Sequence, residues 1–282
     1  MFSPKTNQRI AFTFLFLSTL LIIIPVGTIV VIIIQKGFPA LTWDFLTDIP
    51  RKGMREGGIF PALVGTIYLV FGAILFALPI GVMAAIYLTE YAKDNFITRI
   101  IKLAIVNLAG VPSVVYGLFG FALFVDFFKF GTSILAGSLT LAIMILPIII
   151  TASREAIESV PRSFFEVSLS LGASKWQTIR HIILPNSISG IITGTILGIG
   201  RAAGETAPIL FTVAAFYLPR LPTSVFDQAM ALPYHLYVIS TQVPNVSEKI
   251  RYGTALVLLI LVLIMNLSAI ILRARVRKNK KW

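Results

Sequence analysis

Residues 166–208 read EVSLSLGASKWQTIRHIILPNSISGIITGTILGIGRAAGETAP, and this stretch decides the fold. Its first half is polar and is interrupted by Gly172 and Pro185, whereas its second half is a glycine-rich apolar run that carries one arginine and one glutamate. The run is one of several in a chain of 282 residues that is 57% hydrophobic and only 13% charged. A soluble core of this length does not need so much apolar surface, so the composition predicts a polytopic, all-α membrane protein.

Apolar runs of about 20 residues or more predict six transmembrane helices. They cover residues 11–34, 61–88, 100–125, 134–152, 186–215 and 252–272. The first run follows Lys5 and Arg9 as a signal peptide would, but it is too long and lacks an A-x-A cleavage site, so we interpret it as an uncleaved span. Residues 1–282 are therefore predicted to form a single transmembrane domain. Pro25, Pro79, Pro112 and Pro147 lie inside these spans and favour kinks over hinges.

The distribution of Lys and Arg sets the predicted orientation. With the N-terminus inside, the cytoplasmic loops and the tail hold nearly twice as many basic residues as the outer loops. The positive-inside rule then places both termini, and the loop of about 153–185, in the cytoplasm. The formal net charge of +12 resides in these membrane flanks and in a final cluster from Arg273 to Lys281, so it does not indicate nucleic-acid binding. The two long outer connections, 35–60 and 216–251, either dock a partner or form short interfacial helices in contact with lipid.

The fifth run carries a stripe of small residues. Gly190, Gly194 and Gly198 recur every four residues, so the backbone of another helix can approach closely along that face. Arg201 and Glu205 lie within the same arc of an ideal helix and therefore face protein or a water-filled cavity. The stripe predicts helix packing, and the two charges mark the same face as functional.

The depth of Arg201 demands an explanation. An ideal helix places it about 22 Å beyond Asn186, inside a hydrocarbon core of roughly 30 Å. A charge there costs about 2.5–3.5 kcal/mol on insertion scales. One interpretation is that Glu205 pairs with Arg201 and fastens the bundle; the other is that the guanidinium binds a tetrahedral oxyanion through two hydrogen bonds. The two are compatible, because Glu205 can hold Arg201 while the site is empty.

Several chemistries leave no trace in the sequence. There is no G-x-x-x-x-G-K-[ST] motif, so any ATP hydrolysis must come from a partner. His181 and His235 lack metal-ligand spacing, and no Ser/His/Asp set lies at a plausible depth. We therefore expect neither an enzyme nor a metal or cofactor bound to this chain.

The polar loop resembles a motif of ABC-importer permeases. Its spacing matches the pattern E-A-A-x3-G-x9-I-x-L-P, with Val167 and Ser168 in place of the two alanines. The resemblance implies the type I (MetI-like) permease fold, and a loop that inserts two short helices joined at a glycine corner into a separate ATPase. The residues that it assigns to ATPase coupling are Glu166, Ser168, Gly172, Ala173, Ile182, Leu184 and Pro185.

A second motif narrows the family. The segment 200–208, which ends in Gly-Glu-Thr-Ala-Pro, resembles the PstA family of phosphate ABC-transporter permeases. The likeness extends over residues 58–91 and 231–235. It implies the permease subunit of an ATP-driven phosphate importer in the bacterial inner membrane, with a substrate path past Arg201, Glu205 and Thr206.

The partners follow from the same resemblance. They would be a PstC-like second permease, a PstB-like ATPase dimer that binds ATP and Mg²⁺, and a PstS-like phosphate-binding protein outside. A permease for sulfate or molybdate is the nearest alternative. A passive anion channel is another, because it would also use an arginine in mid-membrane, but it would not need the loop of residues 166–185.

Overall fold

The computed structural model describes residues 4–278, which form twelve α-helices and a short β-hairpin. The helices are α1 (Pro4–Gly37), α2 (Trp43–Thr47), α3 (Phe60–Ile86), α4 (Phe96–Ala109), α5 (Ser113–Gly120), α6 (Ile134–Glu158), α7 (Arg162–Ser170), α8 (Lys175–Thr178), α9 (Leu184–Gly204), α10 (Ala207–Thr212), α11 (Leu232–Thr241) and α12 (Glu248–Lys278). Strands β1 (Pro50–Arg51) and β2 (Glu56–Gly57) pair antiparallel. Residues 1–3 and 279–282, including the end of the predicted basic cluster, lie outside the described residues.

Five helical stretches are long and apolar enough to cross a membrane: Gln8–Ala40, Phe60–Tyr91, Ile134–Glu158, Lys175–Gly204 and Glu248–Arg275. A bent pair of helices, Phe96–Ala109 and Ser113–Phe127, completes six crossings if it is counted as one. The all-α membrane class is thus confirmed. The predicted loop of about 153–185 starts later than expected, because α6 continues to Glu158.

The third predicted span, 100–125, was expected to kink at Pro112, and the structure divides it there into two helices. The chain bends by 106° between α4 and α5. Pro112 lacks an N–H group, and its ring disfavours helical backbone at Val111, so the helix ends just before it. The hydroxyl of Tyr116 donates to the carbonyl of Leu108 at 2.7 Å. This bond joins the two arms of the bend.

The fifth predicted span, 186–215, is also interrupted. α9 ends at Gly204, and Glu205 takes an extended backbone with φ −78° and ψ 132°. Pro208 explains the break, because in a continuous helix its ring would clash with the carbonyl four residues earlier. The chain then continues into α10 and an irregular connection.

The helices pack around α3 and α6, which contact each other along most of their length. α9 packs on α6, α12 packs on α9, and α1 packs on α12. The main core lies between α3 and α6, where Leu69, Leu141 and Ile145 are buried. A second cluster, which we call the small core, lies beside α7 and α8 and consists of Ala85, Ile86, Ile157, Val160, Ile179 and Ile183.

Candidate functional site

The glycine stripe of α9 faces α6. A Cβ atom built on Gly194 would lie 2.5 Å from the Cβ of Ala152, and one built on Gly190 would be closer still to α6. At Gly198 the nearest side-chain atoms are 3.6 Å from such a Cβ, which is ordinary contact. The closest approach of the two helices is therefore at the first two glycines, and these positions admit no side chain.

Arg201 and Glu205 meet at the end of α9. The Arg201 Nε lies 3.4 Å from a carboxylate oxygen of Glu205, and the two side chains are 29% and 19% exposed. Arg201 also lies in the last turn of the helix, where the unpaired carbonyl groups favour a cation. Among the residues that the structure describes, Glu205 is the only acidic side chain that forms an ion pair with Arg201.

The interior beside Glu205 has almost no free space. A cavity of about 10 Å³ lies between α3, α6, α9 and α11. This is about the volume that one water molecule needs, so the cavity is too small to hold a tetrahedral oxyanion. An anion would have to approach Arg201 from its exposed side, which is the outside of the single chain.

The bent third span packs against the break after α9. A Cβ on Gly117 would lie 2.9 Å from the carbonyl oxygen of Ala207, so α5 and α10 are in close backbone contact. Thr206, which precedes α10, is half-buried, and its side chain makes no capping bond to that helix. Tyr116 of α5 lies near enough for the charge of Arg201 to act on its phenol group. Sequence reasoning missed Tyr116, although a tyrosine shortly after Pro112 was a visible signal.

Asn266 of α12 is a second residue that sequence reasoning missed. Its side-chain nitrogen would lie 3.3 Å from a Cβ on Gly200, the residue before Arg201. Its Oδ1 is buried and has no hydrogen-bond partner within the described part of the chain. The signal was available, since Asn266 is an amide side chain inside the last apolar run. Together with Arg201 and Glu205 it makes this depth of the bundle polar.

The loop between α6 and α9 turns a corner after α7. Gly172 has a φ of +84°, and nothing lies within 4 Å of the place where a Cβ would be. The N–H of Ala173 bonds to the carbonyl of Ser168 at 3.2 Å, and that of Gly172 bonds to Leu169 at 2.9 Å. This is the Schellman arrangement that ends a helix at a left-handed residue. The glycine corner is therefore required by torsion and not by crowding.

The second short helix starts at once. Ser174 caps α8, and Gln177 returns a bond to the Ser174 backbone N–H at 2.8 Å, which makes a capping box. The hydroxyls of Ser168 and Thr178 are 2.8 Å apart and buried, so they join α7 to α8. We call α7, α8 and the π-helical turn at Ile179–Ile183 the coupling segment.

An apolar groove opens on the surface of the coupling segment. It has a volume of about 640 Å³. Its lining is Ser163, Phe164, Val167, Ser168, Leu171, Ala173, Ile182 and Asn186. Leu171 is 82% exposed and Val167 is 59% exposed, while Glu166 lies on the exposed surface of α7. Exposed apolar side chains grouped in this way are typical of a protein–protein interface.

The remaining residues that were predicted to couple to an ATPase attach this segment to α9. Leu184 packs against the small core, and Pro185 follows it in the first turn of α9. The π-helical turn at Ile179–Ile183 precedes Pro185 and provides the local widening that a proline ring needs. Arg201 is 17 residues beyond Leu184, about 26 Å along the helix, so the two predicted sites lie at opposite ends of α9.

The two long connections at the other end of the bundle contact each other. Arg55 donates to the carbonyl of Pro244 at 3.2 Å, and the Tyr217 hydroxyl donates to that of Pro50 at 3.1 Å. A groove of about 500 Å³ between them is lined by charged side chains that include Asp44, Asp48, Arg55, Glu56 and Lys249. Three hydrogen bonds from Thr223 and Ser224 hold the pKa of the Asp227 carboxyl below its usual range. The two long connections therefore contain short helices, and a groove with charged side chains lies between them.

The amino-acid sequence is similar to a family of membrane transport proteins and to individual permeases. Residues 77–281 match the model of the family described as "Binding-protein-dependent transport system inner membrane component". The probable ABC transporter permease protein YqgI of Bacillus subtilis (strain 168) is 36% identical over 84% of this chain and 85% of its own length. The phosphate transport system permease protein PstA of Mycobacterium leprae (strain TN) is 36% identical over 93% of this chain and 87% of its own.

Solved structures agree on the fold. A bacterial alginate ABC transporter, crystallised with an alginate-bound periplasmic protein, matches with a TM-score of 0.69 at 14% identity, over 94% of this chain and 93% of the other. The MetNI methionine ABC transporter matches with a TM-score of 0.60 at 15% identity, over 78% and 94%. These likenesses confirm the predicted MetI-like permease fold.

Proposed function

Because this chain belongs to the family of binding-protein-dependent transport system inner membrane components, we propose that it is the permease subunit of an ATP-driven phosphate importer of the PstA type. The single observation that carries the proposal is Arg201, a cation in the last turn of the apolar span Lys175–Gly204 that is paired with one carboxylate and stays 29% exposed. The sequence identity to phosphate permeases is the reason for proposing phosphate as the ligand.

Arg201 fits a phosphate ion by charge and by shape. Its Nε faces Glu205, and a guanidinium can direct parallel N–H groups at two oxygens of a tetrahedral anion. Glu205 balances the charge of Arg201 when no anion is present. Thr206, which directly follows Glu205, adds a half-buried hydroxyl at the same end of α9.

The site is incomplete in one chain. A single arginine cannot neutralise a divalent phosphate, and its free side opens to the outside of the bundle. A second, PstC-like permease packed on this face would close the path and supply further donors. The path would then run between the two permeases, past Arg201, Glu205 and Thr206.

The coupling segment would dock an ATPase. Its apolar groove and the exposed Glu166 give a surface that a PstB-like dimer can cover, with ATP and Mg²⁺ bound to that dimer. In this arrangement the loop and both termini would lie in the cytoplasm of a bacterial cell, with the chain in its inner membrane. The charged groove at the other end would then receive a PstS-like binding protein.

Two alternatives are separated by chemistry. A sulfate or molybdate permease would use the same cation, so only ligand competition distinguishes it. A passive channel needs no coupling segment, and the capped, apolar surface of that segment argues against it.

The decisive experiment is reconstitution of the whole complex in proteoliposomes. With ATP and Mg²⁺ on the coupling-segment side and a phosphate-binding protein on the other, radiolabelled phosphate should accumulate against its gradient. Excess sulfate or molybdate should not compete. Uptake without ATP would indicate a channel, and competition by sulfate would reassign the ligand.

A further inference from the structure

Lys175, the first residue of α8, reaches out of the coupling segment to the end of a membrane span. Its ammonium donates to the backbone carbonyl of Glu90, which lies in the π-helical turn Tyr87–Tyr91 that continues α3. The same nitrogen lies 4.8 Å from the ring centre of Tyr91 and 5.9 Å from that of Phe165 on α7. One side chain therefore joins α8, α7 and the end of α3.

The carbonyl that Lys175 binds is one that a helix cannot satisfy itself. The last carbonyls of a helix have no partner within it, and they attract cations. The two aromatic rings strengthen the attraction, because an ammonium over a ring face is favoured. The site is thus built from three groups that each prefer a positive charge.

The coupling segment also meets α3 through apolar contacts, which are not directional as a hydrogen bond is. The small core joins Ala85 and Ile86 of α3 to Ile179 and Ile183 of the coupling segment. Such contacts hold the elements together, but they include no hydrogen bond and no charge. Lys175 adds a directional bond between the coupling segment and α3, and α3 itself packs along α6 in the main core.

We propose that Lys175 is a positioning residue that fastens the coupling segment to the end of α3, so that movement of the ATPase is passed to that span. The proposal rests on the proposed function, since it concerns how ATP hydrolysis is converted into transport. Lys175 is exposed, so the fold does not depend on burying it. Its contribution is to coupling and not to folding.

The test compares substitutions in the reconstituted complex. Lys175→Met should assemble and hydrolyse ATP, but the phosphate transported per ATP hydrolysed should fall about tenfold, as expected for the loss of two cation–π contacts and one charged hydrogen bond. Lys175→Arg should keep about half of the coupling or more, because a guanidinium can bond to the carbonyl and stack on the rings. Lys93→Met is the matched control, since Lys93 is exposed in the nearby connection and forms no hydrogen bond, ion pair or ring contact with the described residues.

A cross-link provides an independent measurement. The chain has no cysteine, so Glu90→Cys with Lys175→Cys gives one defined pair. Linking this pair with a short bifunctional thiol reagent should restore the coupling that Lys175→Cys alone loses. Unchanged coupling in Lys175→Met, or no recovery on cross-linking, would overturn the proposal. Failure of the unmodified complex to take up phosphate would instead overturn the proposed function.

Discussion

The coupling segment and the membrane helix α9 both depend on glycine, but for opposite reasons. At Gly172 the backbone has a φ of +84° and a side chain would meet nothing within 4 Å. At Gly194 the backbone is helical, but a Cβ would lie 2.5 Å from that of Ala152. The first glycine is needed for its torsion angles and the second for its lack of volume.

The charged residues of the two regions also differ, in this case in their exposure. Glu166 lies on the exposed surface of the coupling segment, whereas Arg201 and Glu205 form a half-buried pair at the end of α9. An exposed charge is solvated and can meet a partner at little cost. A charge at membrane depth must be balanced at all times. Substitutions at the two ends of α9 should therefore fail in different ways.

Gly194→Leu should have the largest effect. Overpacking costs about 1–3 kcal/mol when side chains can adjust, and more here because the clash is with an alanine and the helix behind it. We expect the complex not to assemble, as measured by the yield of permease and ATPase in a detergent pull-down. Gly27→Leu is the matched control, because a Cβ on Gly27 of α1 meets no described atom within 4 Å. Equal yields for the two variants would contradict the packing of α9 on α6.

Arg201→Gln should assemble but transport poorly. Losing charged hydrogen bonds of about 1.5–3 kcal/mol predicts a fall in phosphate uptake of roughly 10- to 100-fold, with ATP hydrolysis retained. Arg201→Lys should recover little, because a point charge lacks the planar pair of donors. The assay is uptake of radiolabelled phosphate in a strain without other phosphate transporters.

Glu205→Gln sharpens that result. If Glu205 only balances Arg201, the single variant should be impaired and the double variant should be no worse than Arg201→Gln alone. Additive losses would show that Glu205 has a separate role, and full activity of Arg201→Gln would remove the arginine from the path.

Gly172→Val should uncouple ATP hydrolysis from phosphate uptake, with a smaller effect than Arg201→Gln has on uptake. A β-branched residue in the left-handed region costs roughly 1–2 kcal/mol, which should distort the corner between α7 and α8. Gly172→Asn should keep most of the activity, because asparagine tolerates this conformation and the space around it is open. Uptake and ATPase rates measured together would show the difference. Similar losses for valine and asparagine would mean that side-chain volume and not torsion decides this position.

Ser168→Ala should have the smallest effect. It removes the 2.8 Å bond to Thr178, but the Thr178 hydroxyl also donates to the carbonyl of Ser174 at 3.1 Å and stays paired. We expect a loss of about 0.5–1 kcal/mol in the stability of the corner, seen as a modest fall in the melting temperature of the complex. In Thr178→Val the loss should be larger, because the valine breaks both bonds. A larger loss from Ser168→Ala than from Thr178→Val would contradict this assignment of the two bonds.

Proline shows how far the sequence could predict the spans. Pro25, Pro79 and Pro147 lie inside continuous helices, while the chain breaks at Pro112 and before Pro208. The local clash is the same at each one. Whether neighbouring groups compensate for it depends on packing, so sequence reasoning expected a kink at Pro112 but not a bend of 106°, and it did not expect the break before Pro208.

The candidate residues divide in the same way. The corner at Gly172 and the cap at Ser174 were predictable, because each depends on bonds between residues a few positions apart. Tyr116 and Asn266 were not identified, because their neighbours come from other helices. Lys175 and Glu90 are separated by 85 positions, and no local signal joins them.

The sequence by itself determined that this protein is a helical membrane protein, that a polar loop interrupts its apolar runs, and that Arg201 and Glu205 share an apolar run with a stripe of glycines. Each of these follows from composition, periodicity or short-range hydrogen bonding, which act over a few residues at a time. Only the tertiary structure decided where the spans break, which face of α9 meets α6, and that the space beside Glu205 is closed. These features depend on how helices far apart in sequence fit together, and close packing lets a single methyl group determine whether they do.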